Sequence, residues 1–371
     1  MKFELIDTEK FRKFASRSPY KSFMQTPEIA TLRENNGWTP YYFAVKEKDK
    51  IIAAAMIIAK PTFLGKSIFY SPGGPLLDLS DTKLTDFFFK NLIKYIKSHN
   101  GYVLRIDPYY EFIERNREGN KVEGGFNHQK ALENLKTLGF KPVLNTDQPK
   151  YLFVLELKNR TPDQIYADFK SNTRYHIRKA EKLGVKIREL KREELSTFKR
   201  ITESTAERRS FQDKPLSYYE QMYDLFHEQG KVKFIVAEAN IDQEESSPTP
   251  LSVAMFILYG DEIIYLFSGS ESRYMKKYNA QYLIQWHMIK YGAEKGFKKY
   301  NFYGINGLPD ESKPGYGVYL FKKGFTSENT GHVVELIGSY ELPLNLFYYL
   351  HSLLSKLKRL KWVSQVYPIL K

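Results

Sequence analysis

The feature that most constrains this chain is an internal duplication: one order of elements, β-β-β-α-β-α, runs through it twice. Residues 41–58, YYFAVKEKDKIIAAAMII, read as strand, polar turn and strand, and residues 233–258 repeat the pattern around a longer polar turn. A third strand follows in each half, SIFYSPGGPLL at 67–77 and EIIYLFSGS at 262–270. Next comes an apolar stretch at helical spacing, 81–98 behind an Asp81 cap and 279–294. A short apolar strand succeeds each helix, YVLRIDP at 102–108 and KYNFYGING at 299–307. A segment carrying Gly-Phe closes each unit, at 131–143 and 316–328. A chain of 371 residues exceeds what one core usually serves. The repeat therefore predicts two tandem mixed α/β domains, residues 1–149 and 150–332, with 333–371 completing the first.

A helical block separates the repeats. Thr161-Pro162-Asp163-Gln164 has capping-box spacing with Pro at the first helical position, which predicts a helix running to Leu183 and stopped by Gly184. A second helix is expected over about 192–209, and 240–250, NIDQEESSPTP, is a polar, proline-containing loop. Residues 342–362, LPLNLFYYLHSLLSKLKRLKW, read as an amphipathic basic helix. Such a helix can lie on a membrane surface, or pack on the protein with its basic face in water.

The chain has no cysteine, which excludes disulfides, thiolate nucleophiles and zinc ribbons. Its seven histidines form neither HxH nor HExxH spacing, so no metal and no cofactor is expected. The longest apolar stretch, near Ile51–Ala59, falls far short of the roughly 20 residues that span a bilayer, and the charged N-terminus does not read as a signal peptide. A cytoplasmic protein is expected, at most peripheral to the membrane. The formal net charge of +14 attracts polyanions: nucleic acid, an anionic membrane or phosphorylated substrates.

The repeated unit has the layout of an acetyltransferase-type (GNAT) domain. Those domains hold CoA on an R/Q-x-x-G-x-G/A turn. Neither half has one, and Lys313-Pro314-Gly315-Tyr316-Gly317 is the nearest candidate. FKSNTRYHIRKAEKLGVKI (169–187), YLFSGSESRYMKKYNAQYLIQW (265–286), YNFYGING (300–307) and YGVYLFKKGF (316–325) resemble the second domain of the Fem family of peptidoglycan-bridge aminoacyltransferases. SPGGPLLD (71–78) and YVLRIDP (102–108) resemble its first. Many members insert a two-helix arm where this chain has only the loop 240–250, so the chain resembles the arm-less form.

The resemblance implies transfer of Ala, Ser or Gly from aminoacyl-tRNA to the stem-peptide lysine amine of a peptidoglycan precursor, either UDP-MurNAc-pentapeptide or lipid II, by a monomer. The aminoacyl ester is already activated, so the obstacle is the amine's proton. A lysine with a pKa of about 10.4 costs about 4–5 kcal/mol to hold neutral at pH 7. Asp107, at the end of YVLRIDP, is the candidate base where the family has an acidic residue; a strand-ending turn is the plain alternative. The resemblance makes Lys322 a cation near the aminoacyl end, with Phe321 flanking the ester; a solvated lysine and a core phenylalanine are the alternatives. It points to Arg33, Lys214 and Tyr218 for the precursor. Lys214 stands where the family commonly has arginine, and Phe267 where a relative carries tyrosine. Lys170, Arg174, Arg178 and Lys182 recur every four residues, a cationic stripe suited to tRNA phosphates or simply to solvent.

Two other readings stay open. A CoA-dependent GNAT N-acyltransferase requires the missing glycine turn. A non-enzymatic RNA-binding module accounts for the charge but not for the duplicated acyltransferase layout.

Overall fold

Alternation and β-branched or alanine runs make the strands, and turn residues space them. In a computed structural model that describes residues 1–143, 148–209, 211–241 and 247–359, fifteen strands form two sheets. In chain order they are β1 Lys2–Leu5, β2 Thr39–Glu47, β3 Lys50–Pro61, β4 Ser67–Ser71, β5 Gly101–Ile106, β6 Glu111–Glu114, β7 Lys141–Pro142 and β8 Tyr151–Glu156. The rest are β9 Lys186–Glu189, β10 Val232–Ala239, β11 Thr249–Tyr259, β12 Glu262–Ser270, β13 Lys299–Ile305, β14 Gly331–Leu336 and β15 Tyr340–Pro343.

The first sheet runs β1-β2-β3-β4-β5-β15-β7, and the second β9-β10-β11-β12-β13-β8-β14-β6. The first seven positions correspond one to one. In each sheet one parallel pair, β4–β5 or β12–β13, interrupts antiparallel neighbours. The parallel crossover is the helix between those strands, as a βαβ connection requires. In the second sheet only Glu262–Ile264 pair with Lys299–Asn301, and beyond them the two strands part.

The chain divides into two compact units: residues 1–110, 128–148 and 337–371, and residues 111–127 and 149–336. This corrects the expected boundaries at two places. Residues 111–127 carry β6, which pairs with β14 and so belongs with the second sheet. The cut before residue 333 would have split β14, which pairs with β8 over Gly331–Glu335. The two sheets also exchange strands. β8 follows β7 in sequence yet joins the other sheet, and β15 follows β14 yet lies between β5 and β7.

At the matching place in each repeat a buried helix packs on the sheet. Thr82–Ser98 is capped by Asp81, whose carboxylate accepts the Leu84 N–H at 2.9 Å, and it buries Leu84, Phe88, Phe89, Leu92 and Ile96. Ala280–Glu294 buries Leu283, Ile284, Met288 and Ile289 against the second sheet. Full burial of such side chains contributes about 1.5–3 kcal/mol each.

Two expected helices differ. The helix expected over 161–183 is two, Pro162–Ala167 and Ser171–Lys182. The break is held from outside: Ser327 donates to Asp168 at 3.1 Å, the Lys170 N–H donates to the Gly324 carbonyl at 2.9 Å, and Phe169 is buried between them. The expected C-terminal helix starts later, at Phe347, because Leu342 and Pro343 are in β15; residues 360–362 lie outside the described residues. Among the described residues no helix is long and apolar enough to cross a membrane.

Candidate active site

In the first unit the register of the parallel pair brings a loop and a strand end together. Tyr70 and Ser71 on β4 lie opposite Arg105 and Ile106 on β5, so Asp107 emerges beside the turn that begins at Pro72. The Gly73 N–H donates to Asp107 Oδ1 at 2.5 Å, and the Gly73 carbonyl accepts the Tyr109 N–H at 3.3 Å. Tyr70 donates its O–H to Asp107 Oδ2. Gln25, fully buried, fixes the loop from behind: it donates to the Pro72 carbonyl at 2.7 Å and accepts the Met56 N–H at 2.8 Å. Gly73 takes φ +64°, and a Cβ there would lie 2.5 Å from Ser22 Oγ and 2.8 Å from Met24 Cβ, so the position admits only glycine.

Asp107 is buried, and loss of water pushes its carboxyl up to about 7. The Tyr70 and Gly73 hydrogen bonds and the charges of Arg105 and Arg33 oppose that rise without cancelling it. Arg33 lies inside the helix Pro27–Glu34, half-buried, and its Nε is enclosed with no hydrogen-bond partner among the described residues. The structure thus brings Arg33 within electrostatic reach of Asp107. Trp38, 6.4 Å from the Tyr70 ring and covered by Lys60 at 5.7 Å, completes the neighbourhood.

In the second unit Lys322 is no solvated lysine. It is 4% exposed, on the helix Tyr316–Lys323, and its Nζ donates to the Gly304 carbonyl at 2.5 Å and the Tyr303 carbonyl at 3.2 Å. Those carbonyls are turned outward by an irregularity in β13, where Tyr303 takes φ +63° and its N–H is held by Asn301 Oδ1 at 2.8 Å. Burial with no carboxylate to offset it brings the Lys322 amine down to about 7. Among the described residues two of the three ammonium N–H groups are occupied, which leaves one donor. The neighbouring Lys323 instead pairs with Glu118 at 3.0 Å.

Phe321 meets Tyr282 at 4.9 Å and Phe325 at 5.4 Å. Tyr282 also lies 4.6 Å from His176, whose Nδ1 is buried with no partner among the described residues and whose pKa is lowered by burial and by Lys179. A separate cluster joins three more predicted residues of this unit: Lys214 stands 5.8 Å over the Tyr218 ring, and Tyr218 meets Phe267 at 6.0 Å. Tyr219 locks it from below, donating to Asp213 Oδ1 at 2.5 Å, while Lys199 pairs with Asp213 at 3.1 Å.

The cationic stripe does not survive intact. Arg174 is half-buried and donates to the Ala167 carbonyl at 2.8 Å and to the Phe169 carbonyl, closing the break between the two helices. Lys170 precedes the helix rather than lying on it, leaving Arg178 and Lys182 as exposed helical cations.

Tyr70, Gln25, Tyr303 and His176 were not singled out from the sequence. Tyr70 immediately precedes SPGG, and His176 and Tyr303 lie within FKSNTRYHIRK and YNFYGING, so the strings were noticed and their working members were not. Gln25 left no signal.

The FemAB family model matches residues 6–247 and 241–356, nearly the whole chain. The chain belongs to the FemAB family. Aminoacyltransferase FemA of Staphylococcus epidermidis is 29% identical over 429 aligned positions, spanning 97% of this chain and all of the relative. Its Staphylococcus aureus counterpart is 27% identical, with 96% and 99% covered. The crystal structure of FemX superposes with a TM-score of 0.79 at 22% identity, covering 94% of this chain and 99% of that one. A tandem GNAT protein from the clavulanic acid pathway shares the fold at a TM-score of 0.52 and 9% identity, with 93% and 98% covered. This FemAB chain is an aminoacyltransferase on a duplicated GNAT-like fold. An alignment of 429 positions exceeds the 371 residues available, so the relatives carry segments that it lacks. The family match is broken at 241–247, in the short β10–β11 loop where an arm would be inserted.

Proposed function

We propose that the chain transfers an amino acid, Ala, Ser or Gly, from aminoacyl-tRNA to the stem-peptide lysine amine of a peptidoglycan precursor. The single observation that carries this reading is Asp107: a buried carboxyl titrating near pH 7, oriented by Tyr70 and Gly73. An amine nucleophile must lose its proton, and a carboxylate tuned upward accepts one far better than an exposed one.

In the proposed reaction the lysine amine attacks the ester carbonyl carbon, and its proton passes to Asp107. The C–O bond to the tRNA ribose then breaks, and the departing ribose oxygen takes up a proton. Each Asp107 oxygen keeps a second lone pair beside the bond it already accepts, so the carboxylate can meet the amine without giving up Tyr70 or Gly73. Within the second unit, the remaining N–H of Lys322 is suited to an anionic oxygen, and the Phe321–Tyr282 pair offers an aromatic wall. In the first unit Arg33, with its enclosed Nε, suits an anionic group of the precursor; in the second, Lys214 over Tyr218 offers a separate cation.

The test is transfer from radiolabelled Ala-, Ser- and Gly-tRNA to purified UDP-MurNAc-pentapeptide and, separately, to lipid II, with no CoA added. Product from one charged tRNA supports the reading. Product from acetyl-CoA alone would replace it with the CoA-dependent alternative.

A further inference from the structure

Among the described residues, the first unit carries an apolar face that no element of the unit covers. Along the start of the helix Phe347–Arg359, Leu346, Tyr349, Leu350 and Leu353 are exposed, at spacings of three, one and three residues, a single stripe. Leu346 is 84% and Leu353 55% exposed. The other side of the helix is anchored. Phe347 packs on Tyr102 at 5.0 Å, and the His351 ring lies 5.3 Å from Tyr102.

A second, sequence-distant apolar turn packs on the anchored flank of the same helix. The Phe63 ring lies 4.9 Å from Phe347, and beside it Leu64, 74% exposed, is held out on a turn at φ +58°. Lys141, exposed, stands 5.6 Å from the Tyr349 ring at the edge of the stripe.

The charge of the surrounding sequence identifies the occupant. Residues 344–371 contain Lys356, Lys358, Arg359, Lys361 and Lys371 and no Asp or Glu, in a chain that is +14 overall. A second copy of this basic chain would set like charges against each other. A leucine and tyrosine stripe followed by clustered cations suits a surface that is apolar at depth and anionic above it.

We propose that this face docks the protein on an anionic bilayer. Leu64, Leu346, Leu350 and Leu353 enter the boundary between headgroups and acyl chains, and the basic C-terminal sequence is drawn to the headgroups. The docking stands independently of the transfer reaction.

Vesicle flotation of the full chain, with no substrate present, tests it. The protein should float with vesicles of phosphatidylcholine containing about 30 mol% phosphatidylglycerol and remain unbound with phosphatidylcholine alone, and binding should weaken several-fold between 0.1 and 0.5 M salt, values chosen on the order of the screening range. Leu346→Glu/Leu353→Glu, and separately Leu64→Glu, should each lower the partition coefficient at least about tenfold. These side chains lie in solvent, so circular dichroism should match the parent. Absence of flotation, or unchanged flotation of both variants, overturns the proposal. So does a concentration-dependent dimer in sedimentation velocity that the same substitutions dissolve, because the face would then serve a second copy of the chain.

Discussion

The Tyr70 phenol donates to the same carboxylate, Asp107, that the Gly73 main chain grips from the other side. Three successive structural choices, a strand end, a glycine turn and a neighbouring strand end, therefore converge on one titratable group.

Replacing that group tests the proposed chemistry directly. Asp107→Asn should lower kcat by about 10²–10⁴-fold while leaving KM for both substrates within a few-fold. Single-turnover transfer and precursor binding measured on the same preparation check it. A variant with parental kcat removes Asp107 from the reaction.

Tyr70→Phe makes a finer prediction. Its hydrogen bond favours the charged carboxylate, so removing it should raise the Asp107 pKa further. The acidic limb of the kcat/KM profile, placed near pH 7 in the parent, should then move to higher pH. The alkaline side should not shift in the same way.

Lys322 leads to a stability prediction whose sign can be worked out. Its folded-state pKa of about 7 lies below the ordinary lysine value, so the unfolded chain binds more protons between those limits. The penalty for burying Lys322 is thus greatest below pH 7 and fades as pH rises toward about 10. Urea unfolding should show the parent gaining up to about 3 kcal/mol between pH 7 and 9.5 relative to Lys322→Met, in which this dependence is absent. Asp107 acts in the opposite direction: its raised pKa makes stability fall as pH climbs from about 4 to 7.

Gly73→Ala should destabilise the protein by about 1–3 kcal/mol, because it combines a positive φ with a clash against Ser22 and Met24. It should also lower kcat, since the displaced N–H is one of the two bonds that orient Asp107. Chemical denaturation and initial rates separate the two effects.

The four-residue cationic spacing yields a divided expectation. Arg174→Ala should lower stability, as its guanidinium closes the carbonyls at the helix break. Arg178→Ala/Lys182→Ala should leave stability unchanged and, if these cations meet tRNA, should weaken tRNA binding and flatten its salt dependence. Filter binding across a salt series measures this.

Most of the architecture was legible in the sequence because duplication doubles every local signal. The strand-turn-strand at 41–58 gains credibility from its echo at 233–258. The strand exchange was not legible, because β8 and β15 are short segments whose sheet membership depends on non-local pairing that no periodicity encodes. The helix break at Asp168–Lys170 was missed for the same reason, since its partners are residues 324–327. Within the site, a carboxylate at a strand end was readable as a candidate, but its burial was not. Lys322 shows the limit most plainly: two adjacent lysines in YLFKKGF look equivalent, and only packing makes one an interior amine and the other a surface ion pair.

The exchanged strands also bear on biosynthesis. Ribosomes release the N-terminal half first, yet its sheet lacks the strand between β5 and β7 until Tyr340–Pro343 has been made. A nascent chain cut at residue 149 would expose the unsatisfied edges of Leu104 and Ile106. The first repeat therefore cannot complete its sheet by itself, and expressing residues 1–149 alone should give aggregates rather than a small folded domain.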